Sequence, residues 1–165
     1  MLNDGESCTV SANLSKSTVH RGRQCRRKNQ AADIKLSYLV SKSVVHWDGK
    51  LLPDACNTLP YTKVDRFPIL LTSLTDGSSK LLSAPKLPSG TGRAESGAVS
   101  GQLVEWNAIE HVVGMCYDTT VSNTGRIAGA CTLLEKIMGR NLLWVSCRRH
   151  MFKVLLSDVF NICFS

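Results

Sequence analysis

The apolar run Val112-Val113-Gly114-Met115-Cys116-Tyr117 ends in Asp118. The polar loop Thr119-Thr120-Val121-Ser122-Asn123-Thr124-Gly125 comes next, and then a helical pattern begins. A strand that apolar is buried, and a strand feeding through a short loop into a helix belongs to an α/β sheet. Ligands of open α/β sheets dock outside the carboxyl ends of the strands. Asp118, a carboxylate at such an end, is therefore the first candidate for chemistry.

The chain around it divides by texture. Residues 1–32 hold few large apolar side chains and carry the run Arg21-Gly22-Arg23-Gln24-Cys25-Arg26-Arg27-Lys28. Such a segment buries too little surface to offset its ordering entropy, so a flexible basic arm is expected there, with a folded domain over 33–165. The cations Arg21, Arg23, Arg26, Arg27 and Lys28 are candidate nucleic-acid contacts or a nuclear-import patch. The plain alternative is a solvated tail.

From Ser43 the texture changes. Val44 to Leu52 reads as one strand ended by Pro53. Phe67 to Leu74 reads as a second, the turn Thr75-Asp76-Gly77-Ser78 comes after it, and a third lies near Lys80 to Ala84. The Pro-, Gly- and Ser-rich stretch from Pro85 to Gly101 is expected to be a loop, with a short helix around Val99 to Trp106. Beyond Asp118, Ile127, Ala130, Cys131, Leu134 and Met138 recur on one face of a 3.6-residue period. Ser122 or Asn123 caps that helix and Gly139 ends it. Leu142 to Val145 reads as a short buried strand. Arg148 to Cys163 reads as a final helix, apolar over most of its circumference, with a polar edge at Lys153, Ser157 and Asn161.

A length of 165 residues suits one domain with a tail, and the formal charge of +7 favours an acidic partner such as nucleic acid. The chain opens without the apolar core of a secretory signal, and its seven cysteines are irregularly spaced. Reduced thiols and a nuclear or cytoplasmic location, not secretion, are expected. The apolar stretch from Val154 to Phe164 is too short to span a bilayer, so no membrane anchor is expected.

The order strand, strand, strand, helix, strand, helix, strand, helix resembles the ribonuclease H-like fold. That is an α/β mixed sheet of three antiparallel strands and then two parallel strands, with flanking helices. Trp47-Asp48-Gly49 on the first strand is similar to the Asp-Gly that ribonucleases H carry there. Asp118-Thr-Thr-Val-Ser-Asn-Thr-Gly125 followed by Cys147-Arg-Arg-His150 resembles the hAT transposases and related mobile-element proteins. The resemblance implies that Asp48 and Asp118 are catalytic carboxylates holding Mg²⁺ or Mn²⁺, hard ions that call for oxygen ligands. It also implies Cys147 and His150 as a signature pair. By their charge, Arg148, Arg149 and Lys153 nearby are further candidate phosphate contacts, although cations on an exposed helix face are ordinary.

The family's third acid lies beyond a large helical insertion that the chain does not reach. A truncated, catalytically impaired domain, incomplete at its C-terminus and associated with DNA, is the resulting expectation. Apolar surface left open by the truncation would then be free for self-association or a partner protein.

Each motif also has a plainer reading. Asp48-Gly49 is a two-residue hairpin signal, and Asp118 can cap the turn beyond it. Cys147 and His150 supply two ligands where zinc takes four, and no second pair completes a zinc site. Glu95 and Glu105 flank the first helix, where ribonucleases H place another acid, but a solvated helix face is the plainer role for both, and Trp47, Trp106 and Trp144 are expected in or at the edge of the core. A non-catalytic interaction module is the alternative function. A phosphate-handling hydrolase using Asp118 is a third, which the absence of an Asp-x-Asp-x-Thr motif argues against.

Overall fold

The computed structural model describes residues 15–38, 40–53 and 63–164, in two units divided after Leu39. The first unit contains helix α1, Lys16–Ser37. Here the expectation of a flexible arm to residue 32 gives way to regular structure. Ser15 caps the start, its hydroxyl accepting from the Thr18 amide, and half of the helix is Arg, Lys, Gln and Ala, all good helix formers. Residues 1–14 of the expected arm lie outside the described residues.

The second unit is α/β. Its main sheet has five strands: β1 (Ser43–Trp47), β4 (Ile69–Ser73), β5 (Ser79–Ser83), β6 (Val112–Tyr117) and β7 (Leu143–Ser146). They lie in the order β5-β4-β1-β6-β7. β4 runs antiparallel to both β1 and β5, whereas β6 is parallel to β1 and β7 is parallel to β6. The mixed sheet expected from the sequence is therefore present. The Asp76-Gly77 turn joins β4 to β5, Gly77 taking the left-handed conformation at φ 71°.

The first expected strand is two. β1 ends at Trp47, and β2 (Lys50–Pro53) leaves to pair with β3 (Lys63–Arg66) in a separate two-stranded sheet. Asp48-Gly49 links two sheets and is not a hairpin turn, because β1 and β2 do not pair.

Alternation along β1 and β4 sends Val45, Trp47, Ile69 and Leu71 to one face, where each is at most 3% exposed, with Met115 and Tyr117 of β6 beside them. The side chains buried on helices α2 (Gly92–Glu105) and α4 (Ala130–Met138) form the other half of this core: Val99, Leu103, Cys131 and Leu134. Fully burying a side chain of this size contributes about 1.5–3 kcal/mol. A 3₁₀ turn, Ile109–His111, leads from α2 into β6.

α2 starts well before the expected Val99. Thr91 caps it at the Ala94 amide, and Gly92 lets the helix start sit against backbone, where a Cβ would meet the Ala128 carbonyl oxygen. The helix expected after Asp118 is also divided. A single turn, α3 (Val121–Thr124), is followed by a bend at Gly125–Gly129 and then α4. The bend leaves Ile127 exposed, not on the core face. Gly139 ends α4 in the left-handed conformation at φ 65°, as its position in the sequence suggests.

The last strand and helix depart most from expectation. β7, expected to be buried, is exposed along its whole length, and α5 (Arg148–Phe164) has no buried residue. No helix among the described residues is long and apolar enough to cross a membrane.

Candidate functional site

β1 and β6 are adjacent and parallel, with Val45 opposite Met115 and His46 opposite Cys116. Continuing this register brings Asp48 and Asp118 out side by side at the same end of the sheet, on strands about 4.8 Å apart. Both carboxylate residues line one cleft of about 400 Å³, together with Cys147, Arg149, His150 and Lys153. Six of the residues singled out in the sequence, Asp48, Asp118, Cys147, Arg149, His150 and Lys153, thus converge. Arg148 does not join them, its guanidinium lying 5.4 Å from the centre of the Phe152 ring. Arg21, Arg23, Arg26, Arg27 and Lys28 belong to α1, in the other unit.

The loop after β6 holds Asp118 in place. Its Oδ1 accepts from the Thr120 amide at 3.3 Å, the Thr120 hydroxyl at 2.6 Å and the Asn123 side-chain amide at 2.6 Å. The turn-capping role is therefore real. It is compatible with a ligand role, because no donor among the described residues takes Oδ2.

Asn123, 4% exposed, is fixed in turn by the Trp47 indole N–H, which donates to its Oδ1 at 2.7 Å. Trp47 stacks on Tyr117 at 5.9 Å between ring centres, and Trp144 meets the other side of Tyr117 edge-on at 6.0 Å. The aromatics form the structural underside of the strand ends. The indole of Trp144 on β7 and the amide of Leu142 just before it both donate to Glu135 Oε1 of α4. Cys147 comes directly after β7, and its amide donates to the Tyr117 carbonyl at 2.7 Å, which places the Cys-x-x-His pair beside Asp118.

Glu95 was expected on a solvated helix face, and the structure corrects this. It is 7% exposed, and its Oε2 is buried without a hydrogen-bond partner. Burial pushes its carboxyl above the usual range; a Ser122 contact works the other way, and repulsion from Asp118 and Asp65 adds to the rise. Periodicity offered no sign of this, because a lone Glu among Gly, Ala and Ser does not mark a buried face. His46 on β1 is a similar case: its Nε2 is buried without a partner, and desolvation holds its pKa below the ordinary value.

The donor set of the cleft suits a hard divalent ion, which is commonly bound by one or two carboxylates with water and substrate phosphate completing its shell. No group of three or more His, Cys, Asp or Glu side chains among the described residues is arranged to hold a metal by itself. Arg149 and Lys153 add positive charge to the same cleft, the complement of a phosphate group. Comparison with protein-family models, with curated proteins and with solved structures finds no match to this chain.

Proposed function

We propose that residues 40–164 form a ribonuclease H-like domain of mobile-element type that associates with nucleic acid and is catalytically impaired. The observation that carries this reading is the convergence of Asp48 and Asp118 at the ends of parallel, adjacent strands, in a cleft that also holds Arg149 and Lys153. The strand order, with β4 the one strand running against the rest of the main sheet, supports it.

In this reading Asp48 and Asp118 hold Mg²⁺ or Mn²⁺, and the ion supplies charge neutralisation at a phosphodiester. Asn123 and Thr120 keep Asp118 oriented, Arg149 and Lys153 position the phosphate, and Trp47 and Tyr117 keep the strand ends rigid. Two-ion phosphoryl chemistry needs ligands for both ions. The acid pair suits one, which is why turnover is expected to be weak. Work on nucleic acid implies a nuclear or cytoplasmic location.

Calorimetric titration with Mn²⁺ tests the site. Binding is expected for the native chain and is expected to be lost in both Asp48→Asn and Asp118→Asn. If either variant takes up Mn²⁺ as the native chain does, the acid-pair reading fails.

One observation favours a second reading, that of a protein-interaction module. Leu143 of β7 and Leu155, Leu156, Val159, Phe160, Ile162 and Phe164 of α5 are all more than half exposed, and apolar surface on this scale marks association sites.

A further inference from the structure

We propose that α1 binds duplex nucleic acid as a preformed helix, through two cationic rows on one side of its barrel. This goes beyond the acid-pair reading and stands whether or not the cleft takes a metal ion.

Charge in this chain is segregated. Seven of its 20 Lys and Arg residues, but one of its 13 Asp and Glu residues, fall within Lys16–Ser37, so one element holds nearly the whole positive excess. At 3.6 residues per turn, Lys16, His20, Arg23 and Arg27 lie along one line of the helix surface. Arg21, Lys28 and Lys35 recur every seven residues along a second line, roughly 110° around the barrel. Gln24 and Ala31 lie between the rows. Thr18, Cys25, Asn29 and the single acid, Asp33, occupy the far side, and Arg26 stands outside both rows.

Every residue of α1 is exposed except Val19 and Lys35, which are half-buried. No carboxylate among the described residues pairs with Arg23, Arg26, Arg27 or Lys28, so their charge is left for a partner.

The partner these rows suit is a duplex. A major groove about 12 Å wide admits one α-helix, and its two walls are lines of phosphates. A helix lying in it presents one row to each wall and small or polar side chains to the groove floor. Arginine, four of the seven cations here, grips phosphate oxygens with a planar fork. A membrane surface suits α1 poorly. Helices that lie in the interface bury a broad apolar face, and the large apolar residues of α1 are Val19, Ile34 and Leu36 alone.

The test is fluorescence anisotropy of the full chain with a labelled duplex of about 20 base pairs, over a range of NaCl concentrations and in EDTA. Chelation keeps its outcome separate from that of the acid-pair reading. Binding is expected to weaken steeply with salt. Arg23→Gln with Arg27→Gln should reduce the slope of log K against log salt by nearly 2, at about 0.9 for each phosphate no longer neutralised. Asp33→Asn, on the far side, should leave affinity within about twofold of native.

Two variants separate a helix from an unstructured arm of the same charge. Gln24→Pro breaks the helix while keeping every cation and should weaken binding at least about tenfold. Gly22→Ala, whose added methyl meets nothing within 4 Å, should tighten it by up to about fivefold. An unchanged slope in the double Arg variant overturns the proposal, as does full affinity in Gln24→Pro. So does tighter binding to phosphatidylserine vesicles or to polyglutamate than to the duplex.

Discussion

Trp47 and Asp118 are joined through one side chain. The Trp47 indole donates to Asn123 Oδ1 at 2.7 Å, and Asn123 Nδ2 donates to Asp118 Oδ1 at 2.6 Å. The amide therefore couples the end of β1 to the loop after β6. Asn123→Leu leaves the buried indole N–H unpaired and is expected to destabilise the domain by about 1–3 kcal/mol in urea denaturation. Asn123→Asp, which sets a second carboxylate against Asp118, should lose at least as much at pH 7 and regain part of it in acid.

The glycines of α2 are not equivalent. A Cβ at Gly92 would lie 2.3 Å from the Ala128 carbonyl oxygen and 2.6 Å from that of Ser122, whereas one at Gly97 meets nothing within 4 Å. Gly92→Ala is therefore expected to cost about 2 kcal/mol or more, since backbone has to move to admit it. Gly97→Ala should stabilise the domain by about 0.5–1 kcal/mol. Paired denaturation curves read both, and equal effects would contradict the close approach at the α2 start.

Glu95 makes stability depend on pH in an unusual direction. Its folded pKa is raised, chiefly by burial, so its neutral form is the one the fold accepts. The stability linked to that proton is fully present below the ordinary Glu pKa and is lost as pH rises through the raised value. Glu95→Gln should therefore melt higher than the native chain at pH 7 and about equal to it near pH 4, by thermal scans across that range. A constant difference across the range would show that folding leaves the Glu95 pKa where it lies in the unfolded chain.

The thiols should separate by burial. Desolvation pushes Cys131 up to about 12 and Cys116 up to about 11, whereas Cys25 and Cys163 are exposed. Since the thiolate is the reactive species, iodoacetamide at pH 8 should label Cys25 and Cys163 within minutes and spare Cys131 until denaturant is added. Peptide mass spectrometry reads the order of labelling.

The exposed apolar surface of α5 makes a prediction about association. Phe160 and Leu156 are 62% and 68% exposed. Sedimentation velocity on the native chain should show concentration-dependent self-association, and Leu156→Lys with Phe160→Lys should abolish it without lowering the melting temperature. A native chain that stays monomeric at high concentration would remove support from the interaction-module reading.

Local signals were legible where one physical rule governs a short stretch. The Asp76-Gly77 turn, the Gly139 stop and the strand ending at Asp118 all derive from glycine's access to positive φ or from an unbroken apolar run. Reading failed where the outcome depended on distant partners. Val44 to Leu52 looks like one strand, but alternation cannot reveal that Trp47 pairs in one sheet and Leu51 in another. Ile127 matches the period of the next helix, yet the Gly125–Gly129 bend turns it outward. Leu143 to Val145 are apolar enough to be buried, but the elements around them among the described residues leave each more than a third exposed, and composition carries no record of that. Glu95 entered the interior because Gly92, Ser96 and Val99 face inward on the same helix, a placement set by packing and not by its own polarity.

By itself the sequence determined the local alternation of strand, loop and helix, the segregation of positive charge before Ser37, and the placing of Asp118 at the end of an apolar run. These arise from side-chain chemistry over a few residues. Only the tertiary structure decided that Asp48 and Asp118 lie next to each other, that a second sheet begins at Lys50, and that Glu95 is buried. Strand order and register come from pairing between segments far apart in the chain, and that choice is made by the free energy of the whole packed core.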